Sequence, residues 1–347
     1  MKPFFSIILP VYNVAAYLEE TLRCLRAQTF GDFEAFLIDD GSTDGSLEFC
    51  LQAAEEDARL HVLRTPRNGG AAAARNVALP EISGQYVTFL DSDDTFEPGL
   101  LAAYADAIEK DPAADIFKCG FFEEYIEDGR VSYQRACRLE PAGCDSPAAI
   151  CRAAVRLEQF PAFGFLWNGC YRAALLREAG IRFDETLRVN EDFAFNLAAA
   201  RAAKRLCVLP YAGYHYAKRA NASLSTTRND DYYGTHMLKI RGFLAFAQET
   251  GLSDDRALLQ QAWWLYARFC YSALQRSTGR RAAVLAAIRH DPLYASFRTA
   301  HIAGANAKQS VLLGLLRSSW KVPVLSLTGL IGFTKQHFPL LFARIKR

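Results

Sequence analysis

An acidic segment follows directly on an apolar run in the first third of the chain. Tyr86 to Leu90 is apolar except for one threonine, and Asp91-Ser92-Asp93-Asp94 comes next. Carboxylates this close repel one another and lose hydration on burial, so a cation would stabilise them. Mg²⁺ or Mn²⁺ with oxygen ligands, arriving with a diphosphate, is the chemistry that fits. The alternative is a solvated turn that caps a helix.

Strands and helices alternate around this segment. Apolar runs predict strands at 4–10, 33–38, 60–63 and 86–90, and apolar residues at helical spacing predict helices at 15–28, 71–79 and 99–110 and around 47–51. Alternation of this kind predicts an α/β fold with a parallel sheet covered by helices on both faces. In such sheets ligands bind beyond the carboxyl ends of the strands.

Polar clusters follow the ends of these predicted strands. They are Asn13, Asp39-Asp40, Asn68-Gly69-Gly70 and Asp91 to Asp94. Since parallel strands end at the same edge of a sheet, one ligand site explains the clusters better than four unrelated turns.

Composition restricts the class of protein. The chain has 347 residues, 51% of them hydrophobic, which predicts two or three globular units. Its net charge of +2 is too small to indicate a nucleic-acid partner, and we expect none. Nine cysteines without a C-x-x-C pair predict reduced core thiols and a cytosolic protein. We find no separate signal peptide and no apolar run of about 18 residues that would span a membrane.

The last third has a different character. Apolar spacing predicts helices at 232–250, 254–278 and 280–290. Residues 310–347 combine apolar, aromatic and basic side chains and contain no Asp or Glu. That pattern favours a helix or two on the inner, anionic face of the cell membrane, and the alternative is a helix that packs on the protein.

The motifs resemble those of bacterial family 2 glycosyltransferases, which are inverting enzymes of GT-A fold. Ser6 to Asn13 resembles the family's opening segment, and Asp39 to Ser46 its DDGSxD segment. Asn68 to Asn76 is similar to NxGxxxARN, and Asp91 to Asp94 to its DxD motif. Further along, the segments that resemble WNKLYR (with Gly169-Cys170 in place of the usual pair), the ED motif and YxYR…S are 165–172, 190–193 and 214–225.

The resemblance implies a role for each segment. It implies that the nucleotide is bound by Pro10, Tyr12, Asn13, Asp39, Asp40, Asn68, Gly69, Arg75, Asp91 and Ser92. Asp93 is the expected ligand of Mn²⁺ or Mg²⁺, with His215 as a second candidate that is otherwise a core residue. Contacts to the donor, acceptor or phosphates are expected from Asp94, Trp167, Asn168, Arg219 and Ser223. For Trp167 a core position is the alternative.

The resemblance also implies that Asp192 is the general base, with Glu191 beside it. An inverting transfer needs a carboxylate on the face opposite the leaving group, which takes the proton of the acceptor hydroxyl. Both side chains also suit the N-terminus of a helix at 193–201, which is the alternative reading of this pair.

These observations predict an inverting, metal-dependent transferase. The donor is a UDP-sugar and the acceptor a hydroxyl of a cell-surface glycan (lipopolysaccharide, capsule or exopolysaccharide), free or lipid-linked; a homo-oligomer is also compatible. The alternatives are a nucleotidyltransferase that makes a nucleotide-sugar and a non-catalytic nucleotide-binding module. We divide the chain into a nucleotide-sugar half, an acceptor half, a helical extension and an apolar basic segment, at 1–115, 116–228, 229–309 and 310–347.

Overall fold

The computed structural model describes residues 2–219, 231–277, 279–304 and 307–337. The chain divides into two compact units, Met1–Thr227 and Arg228–Arg347.

In the part of it that the structure describes, the first unit is built on a ten-stranded mixed sheet. Its strands are β1 Phe5–Val11, β2 Phe33–Asp39, β3 Leu60–Arg64, β4 Tyr86–Phe89, β5 Thr95–Phe96, β6 Ile116–Glu127, β7 Arg130–Cys137, β8 Ala142–Cys144, β9 Gly169–Arg172 and β10 Leu206–Arg219. The strand order is β3-β2-β1-β4-β9-β6-β10-β5, with β7 paired to β6 and β8 to β10. The strands β1 to β4 are parallel to their neighbours among themselves, as their alternation with helices predicts.

Over the described residues of this unit, seven helices connect the strands. They are α1 Ala15–Arg26, α2 Ser46–Glu56, α3 Gly70–Ala78, α4 Leu100–Lys110, α5 Pro147–Glu158, α6 Ala173–Glu178 and α7 Glu191–Ala202. Helix α3 contacts β1, β2 and β3, because its alanines allow the helix backbone to lie close to the sheet. The helix predicted at 193–201 begins earlier, so that Glu191 and Asp192 form its first turn.

Beyond β4 the sheet is mixed, with β10 parallel to β6. Strand β9 is antiparallel to both β4 and β6, and β10 is antiparallel to β5 and β8. The sequence patterns above do not predict the hairpin of β6 and β7. Its signal is Asp128-Gly129, which both adopt positive φ at the turn, as hairpin turns require.

The second unit is helical. Its helices are α8 Tyr232–Glu249, α9 Arg256–Arg276, α10 Arg281–His290, α11 Pro292–Thr299, α12 Ala307–Arg317 and α13 Lys321–His337. Helix α9 contacts α8, α10 and α13 and buries one face of aromatic and aliphatic side chains. Aspartates cap three helix starts, where Asp231, Asp255 and Asp291 accept hydrogen bonds from backbone amides.

Two expectations from composition can be compared with this fold. All nine cysteines lie among the described residues as thiols, and eight of them are buried. Within the described ranges, none of the helices combines the length and the apolar character that crossing a membrane would require.

Candidate functional site

The predicted polar clusters meet at one edge of the sheet. Strands β1 and β2 end in register, with Val11 opposite Asp39. The loops beyond them are joined directly: the side-chain oxygen of Asn13 accepts a hydrogen bond from the amide of Thr43 at 2.8 Å. Asn13 adopts a φ of 51°, a left-handed conformation that is uncommon outside glycine and concentrates at functional sites.

The two carboxylates at the end of β2 organise the neighbouring loops. Asp40 accepts hydrogen bonds from the amides of Gly69 and Gly70 at 3.0 and 2.7 Å and from the Thr65 hydroxyl. Asp39 is fully buried and accepts from the amides at 41 and 42. Both carboxylates therefore fix backbone at this edge, and a carboxylate with three bonds keeps acceptor capacity for one more donor.

Glycine is required where α3 begins. Gly70 has a φ of 83°, and a Cβ at Gly69 would lie 2.6 Å from the Cβ of Ala73. Beside this turn Asn68 is exposed, and at the end of β1 the ring of Tyr12 is 49% exposed while Pro10 is partly buried. The edge thus presents an accessible aromatic ring and a polar turn.

The acidic segment is anchored from β10. The Tyr214 hydroxyl donates to the carboxylate of Asp94 and accepts from the amide of Asp91, and the amide of Ala217 donates to the other oxygen of Asp94. Thr21 donates to the carbonyls of Ser92 and Asp94. Asp94, which is buried, therefore holds the segment in shape and leaves Asp91 and Asp93 as its more accessible carboxylates.

Arg75 joins the acidic segment to the start of α7. Its guanidinium lies 3.1 Å from the carboxylate of Asp91 and 2.8 Å from that of Asp192, with Glu191 at 3.9 Å. The side chain is almost completely buried and its guanidinium lies 5.4 Å from the ring centroid of Phe183. Among the described residues no acceptor bonds its buried Nε, a donor that an anionic ligand would satisfy. Arg75 therefore brings the acidic segment at 91–94 and the Glu191-Asp192 pair, which are distant in sequence, close together in space.

The surroundings of Asp192 raise the pKa of its carboxylate. Burial raises its pKa to about 7, Arg75 opposes the rise, and the charges of Glu191 and Asp91 add to it. Burial alone would lower the pKa of Arg75, yet these three carboxylates raise it, so the guanidinium stays charged. A carboxylate with a pKa near neutrality is a stronger base than an ordinary aspartate and still ionises at physiological pH.

The residues present fit a divalent metal held largely by ligands other than protein. Asp93 is 40% exposed, and Arg219 contacts both its carboxylate, at 3.1 Å, and its carbonyl. Burial raises the pKa of Asp93 and Asp91 adds to the rise, whereas Arg219 opposes it. Within the described part of the chain no group of three His, Cys, Asp or Glu side chains could hold an ion. One hard oxygen ligand completed by phosphates and water matches the preference of Mg²⁺ or Mn²⁺.

The structure corrects the expectation for His215. Both of its ring nitrogens are engaged by carboxylates, Nδ1 with Glu124 at 2.7 Å and Nε2 with Glu97 at 3.0 Å, and its ring stacks on Phe122. Asp93 instead faces Arg219. His215 therefore belongs to a cluster with two glutamates, because β10 turns its side chain toward β5 and β6.

Two further contacts expected from the resemblance are corrected. Trp167 is 2% exposed and stacks with Phe165 and Tyr214, so it occupies the core position that was its alternative. Asn168 is fully buried, and its amide bonds to Lys118 and to the carbonyls of Cys119 and Ala162. Neither side chain can reach a sugar. Ser223 lies outside the described residues.

Sequence reasoning missed the groups that support Asp192 from behind. Lys118, Tyr171 and Asn196 form a buried hydrogen-bonded chain that reaches the first turn of α7. A signal existed for Lys118, which is a charged residue inside the apolar run of β6. Asn196 lies on the helix one turn beyond Asp192 and carries no comparable signal.

Comparisons with known proteins relate this chain to glycosyltransferases. A model described as glycosyl transferase family 2 matches residues 6–142. The uncharacterized glycosyltransferase EpsJ of Bacillus subtilis is 32% identical over 222 residues, 64% of this chain and 63% of EpsJ. The poly(ribitol-phosphate) β-N-acetylglucosaminyltransferase TarS of Staphylococcus aureus is 30% identical over 235 residues, 66% of this chain and 38% of TarS. The chain thus spans less than two thirds of these relatives.

Solved structures give the same fold. The crystal structure of residues 1–349 of S. aureus TarS in complex with UDP-GlcNAc superposes with a TM-score of 0.61 at 24% identity, covering 91% of this chain and 90% of that one. The mixed sheet with its helices is accordingly a GT-A fold followed by a helical region, as the motifs predict. Residues 6–142 therefore match glycosyl transferase family 2, and the chain is similar in sequence to bacterial glycosyltransferases.

Proposed function

We propose that this chain is an inverting glycosyltransferase that moves a sugar from a UDP-sugar to a hydroxyl of a cell-surface glycan. The observation that carries the proposal is the bridge of Arg75 between Asp91 and Asp192. It brings the acidic segment, on the nucleotide side, within one side chain of a carboxylate whose pKa burial raises to about 7.

The reaction is a single displacement. The acceptor oxygen attacks the anomeric carbon, the bond from that carbon to the phosphate oxygen breaks, and its electron pair leaves with UDP. Asp192 takes the proton of the attacking hydroxyl. Its place in the first turn of α7, fixed by Arg75, supports this role because a base must lie within hydrogen-bond distance of the proton that it removes.

The loops at the strand ends bind the donor. Tyr12 offers a ring to the nucleotide base, Asp40 an acceptor for its N–H, and Arg75 a buried charge for the phosphates. Asp93 would hold the metal, which would offset the negative charge that develops on the departing diphosphate. The ion pair of Arg219 with Asp93 places a second cation at the same position.

The relatives support the choice of donor and acceptor. TarS is named as a transferase of N-acetylglucosamine to poly(ribitol-phosphate), and its structures include complexes with UDP-GlcNAc and with UDP. We propose the same nucleotide for this chain and an acceptor of the same general class, a polymer of the cell surface.

The test is a panel of UDP-sugars with Mn²⁺, Mg²⁺ or EDTA, read by thermal shift and by release of UDP. We expect a metal-dependent shift with one donor, together with slow UDP release. Binding confined to other nucleotides would contradict the choice of UDP. Pyrophosphate release from a nucleoside triphosphate and a sugar phosphate would favour a nucleotidyltransferase, and binding without UDP release, even with candidate glycans added, would favour a binding module.

We also propose that the end of the chain binds an anionic membrane surface. Trp320, Val322 and Leu330 are each more than 60% exposed, and the two on α13 are eight residues apart, which places them on one helix face. Residues 310–347 carry six Lys or Arg and no Asp or Glu. Exposed apolar side chains with basic neighbours suit the interface of an anionic bilayer.

Vesicle sedimentation tests this surface. The protein should sediment with phosphatidylglycerol vesicles and much less with phosphatidylcholine, and the pair Trp320→Ala and Val322→Ala should weaken the binding. Val131→Ala removes an exposed apolar side chain from β7 and is the matched control. Equal sedimentation with both lipids, or with neither, contradicts the proposal.

A further inference from the structure

A buried lysine lies behind the candidate base. Lys118 is 0% exposed on β6, opposite Gly169 on β9. Its Nζ contacts three uncharged oxygens: the Phe165 carbonyl at 2.6 Å, the Asn168 amide oxygen at 3.2 Å and the Tyr171 hydroxyl at 3.1 Å. A buried cation bonded only to neutral groups is unfavourable, because it loses hydration without gaining an opposite charge in contact.

The direction of each hydrogen bond around Lys118 is determined. The Asn196 amide nitrogen donates to the carbonyls of Phe165 and Asp192, so its amide oxygen is left to accept. The Tyr171 hydroxyl therefore donates to Asn196, and burial keeps the pKa of Tyr171 well above its ordinary value. With its proton committed, the Tyr171 oxygen accepts from Lys118.

Asn168 imposes the same requirement. Its amide nitrogen donates to the carbonyls of Cys119 and Ala162, so its oxygen also accepts from Lys118. The third partner, the carbonyl of Phe165, can only accept. Three acceptors around one amine need three N–H donors, which only the charged form of lysine has.

The chain of bonds ends at the residue that carries the proposed chemistry. From Lys118 it runs through Tyr171 to Asn196, which ties the Asp192 carbonyl in the first turn of α7 to the Phe165 carbonyl. We propose that Lys118 is a positioning residue of the transferase, whose ammonium orients this chain and thereby fixes the turn that carries Asp192. The proposal rests on the function proposed above.

The charges around these hydrogen-bonded residues determine how the hydrogen bonds respond to pH. Burial lowers the pKa of Lys118 to about 7, while Cys119, Asp192 of α7 and Glu158 of α5 favour its charged form. Around Asp192 lie Arg75 of α3, Asp91 beyond β4 and Glu191 of its own helix. Loss of a proton from Lys118 leaves two donors for three acceptors, so one bond in the chain must break at alkaline pH.

The experiment compares Lys118→Met with wild type, using the UDP-sugar from which wild type releases UDP fastest. We expect kcat to fall about 10–100-fold, as small misplacements of a catalytic group do. The KM for the donor and the Kd for UDP should stay at wild-type values, and the alkaline decline of kcat should disappear. Tyr171→Phe, which breaks the link to Asn196, should also lower kcat without weakening UDP binding.

Thr88→Val is the matched structural control. Thr88 is equally buried in the same sheet and donates a hydrogen bond to the Gly169 carbonyl at 2.9 Å. Its side chain is not part of the hydrogen-bonded series from Lys118 to Asn196. It should lower Tm but leave kcat and its pH profile unchanged. Wild-type kcat in Lys118→Met, or a loss of UDP affinity that matches the loss of kcat, overturns the proposal.

A second variant covers a failure to fold. If Lys118→Met is insoluble, Tyr171→Phe decides, and an unchanged kcat in that variant overturns the positioning role. A wild type that releases UDP from no donor, with or without acceptor glycans, contradicts the proposed function itself and this role with it. The two failures are therefore distinguishable in the same assay.

Discussion

The two halves of the first unit position their site residues in different ways. At the ends of β1 to β3, bonds within and between neighbouring loops suffice: Asp39 accepts from the amides two and three residues further along, and Asp40 from those of Gly69 and Gly70. In the acceptor half, Asp192 is held by Arg75, 117 positions earlier in the chain, and supported by a lysine on the far side of a buried network.

The difference lies in what each half must bind. A nucleotide diphosphate can be held by backbone amides, glycine turns and single carboxylates, all of which loops at strand ends supply. A general base needs a set pKa and a set direction, which require burial and charges brought together from several elements. Substitutions in the two halves should therefore fail differently, in binding on one side and in turnover on the other.

The largest effect is expected from Asp192→Asn. Loss of the base should lower kcat by roughly 10²–10⁴-fold, the usual contribution of general base catalysis. UDP affinity, measured by calorimetry, should stay near wild type because the nucleotide is bound by the other half. Glu191→Gln, one residue away and 3.9 Å from Arg75, should cost much less. A joint collapse of UDP affinity and kcat would show that the halves are not separate.

Asp93→Asn should give the opposite result, a binding defect. Loss of a direct metal ligand should weaken UDP binding in the presence of Mn²⁺ by roughly 10–100-fold, since even indirect partners of a metal cost this much. In EDTA the variant and wild type should bind UDP alike. If the variant binds as wild type does in Mn²⁺, Asp93 is not the metal ligand.

The same difference decides what sequence could predict. Strand ends of the nucleotide half follow from local patterns, so the sequence alone predicts that Asn13, Asp40 and the turn at 68–70 lie together. In the acceptor half, the position of each side chain depends on contacts between strands and helices that are distant in sequence. The sequence shows that Trp167, Asn168 and His215 are aromatic or polar, but only the fold shows that each is already occupied by neighbouring side chains or backbone.

Two glycines with positive φ allow an effect on UDP binding to be distinguished from an effect on stability. Gly70 and Gly129 have φ of 83° and 73°, and a Cβ at either would meet open space. Alanine at each should therefore destabilise the protein by a similar amount, about 1–2 kcal/mol, through backbone strain alone. Only Gly70→Ala should also weaken UDP binding, because its turn accompanies Asp40 at the site. Equal UDP affinity in both variants, measured by calorimetry, would remove this turn from the nucleotide site.

The last effect is a pH dependence of stability caused by Asp192. Burial raises its pKa to about 7 in the fold, above an ordinary value of about 3.9, so folding favours the protonated form. This contribution to stability is complete below about pH 4 and is lost as pH rises through about 7. Asp192→Asn lacks this contribution, so the Tm of the variant should rise relative to that of wild type by a few degrees between about pH 5 and 8.5.

Asp184→Asn is the control, because hydrogen bonds from Thr186 hold the pKa of Asp184 below its ordinary value. Its Tm difference from wild type should therefore be constant above about pH 5. A flat difference for Asp192→Asn as well would mean that this carboxylate titrates normally, and the acceptor half would then lack the tuned base that distinguishes it from the nucleotide half.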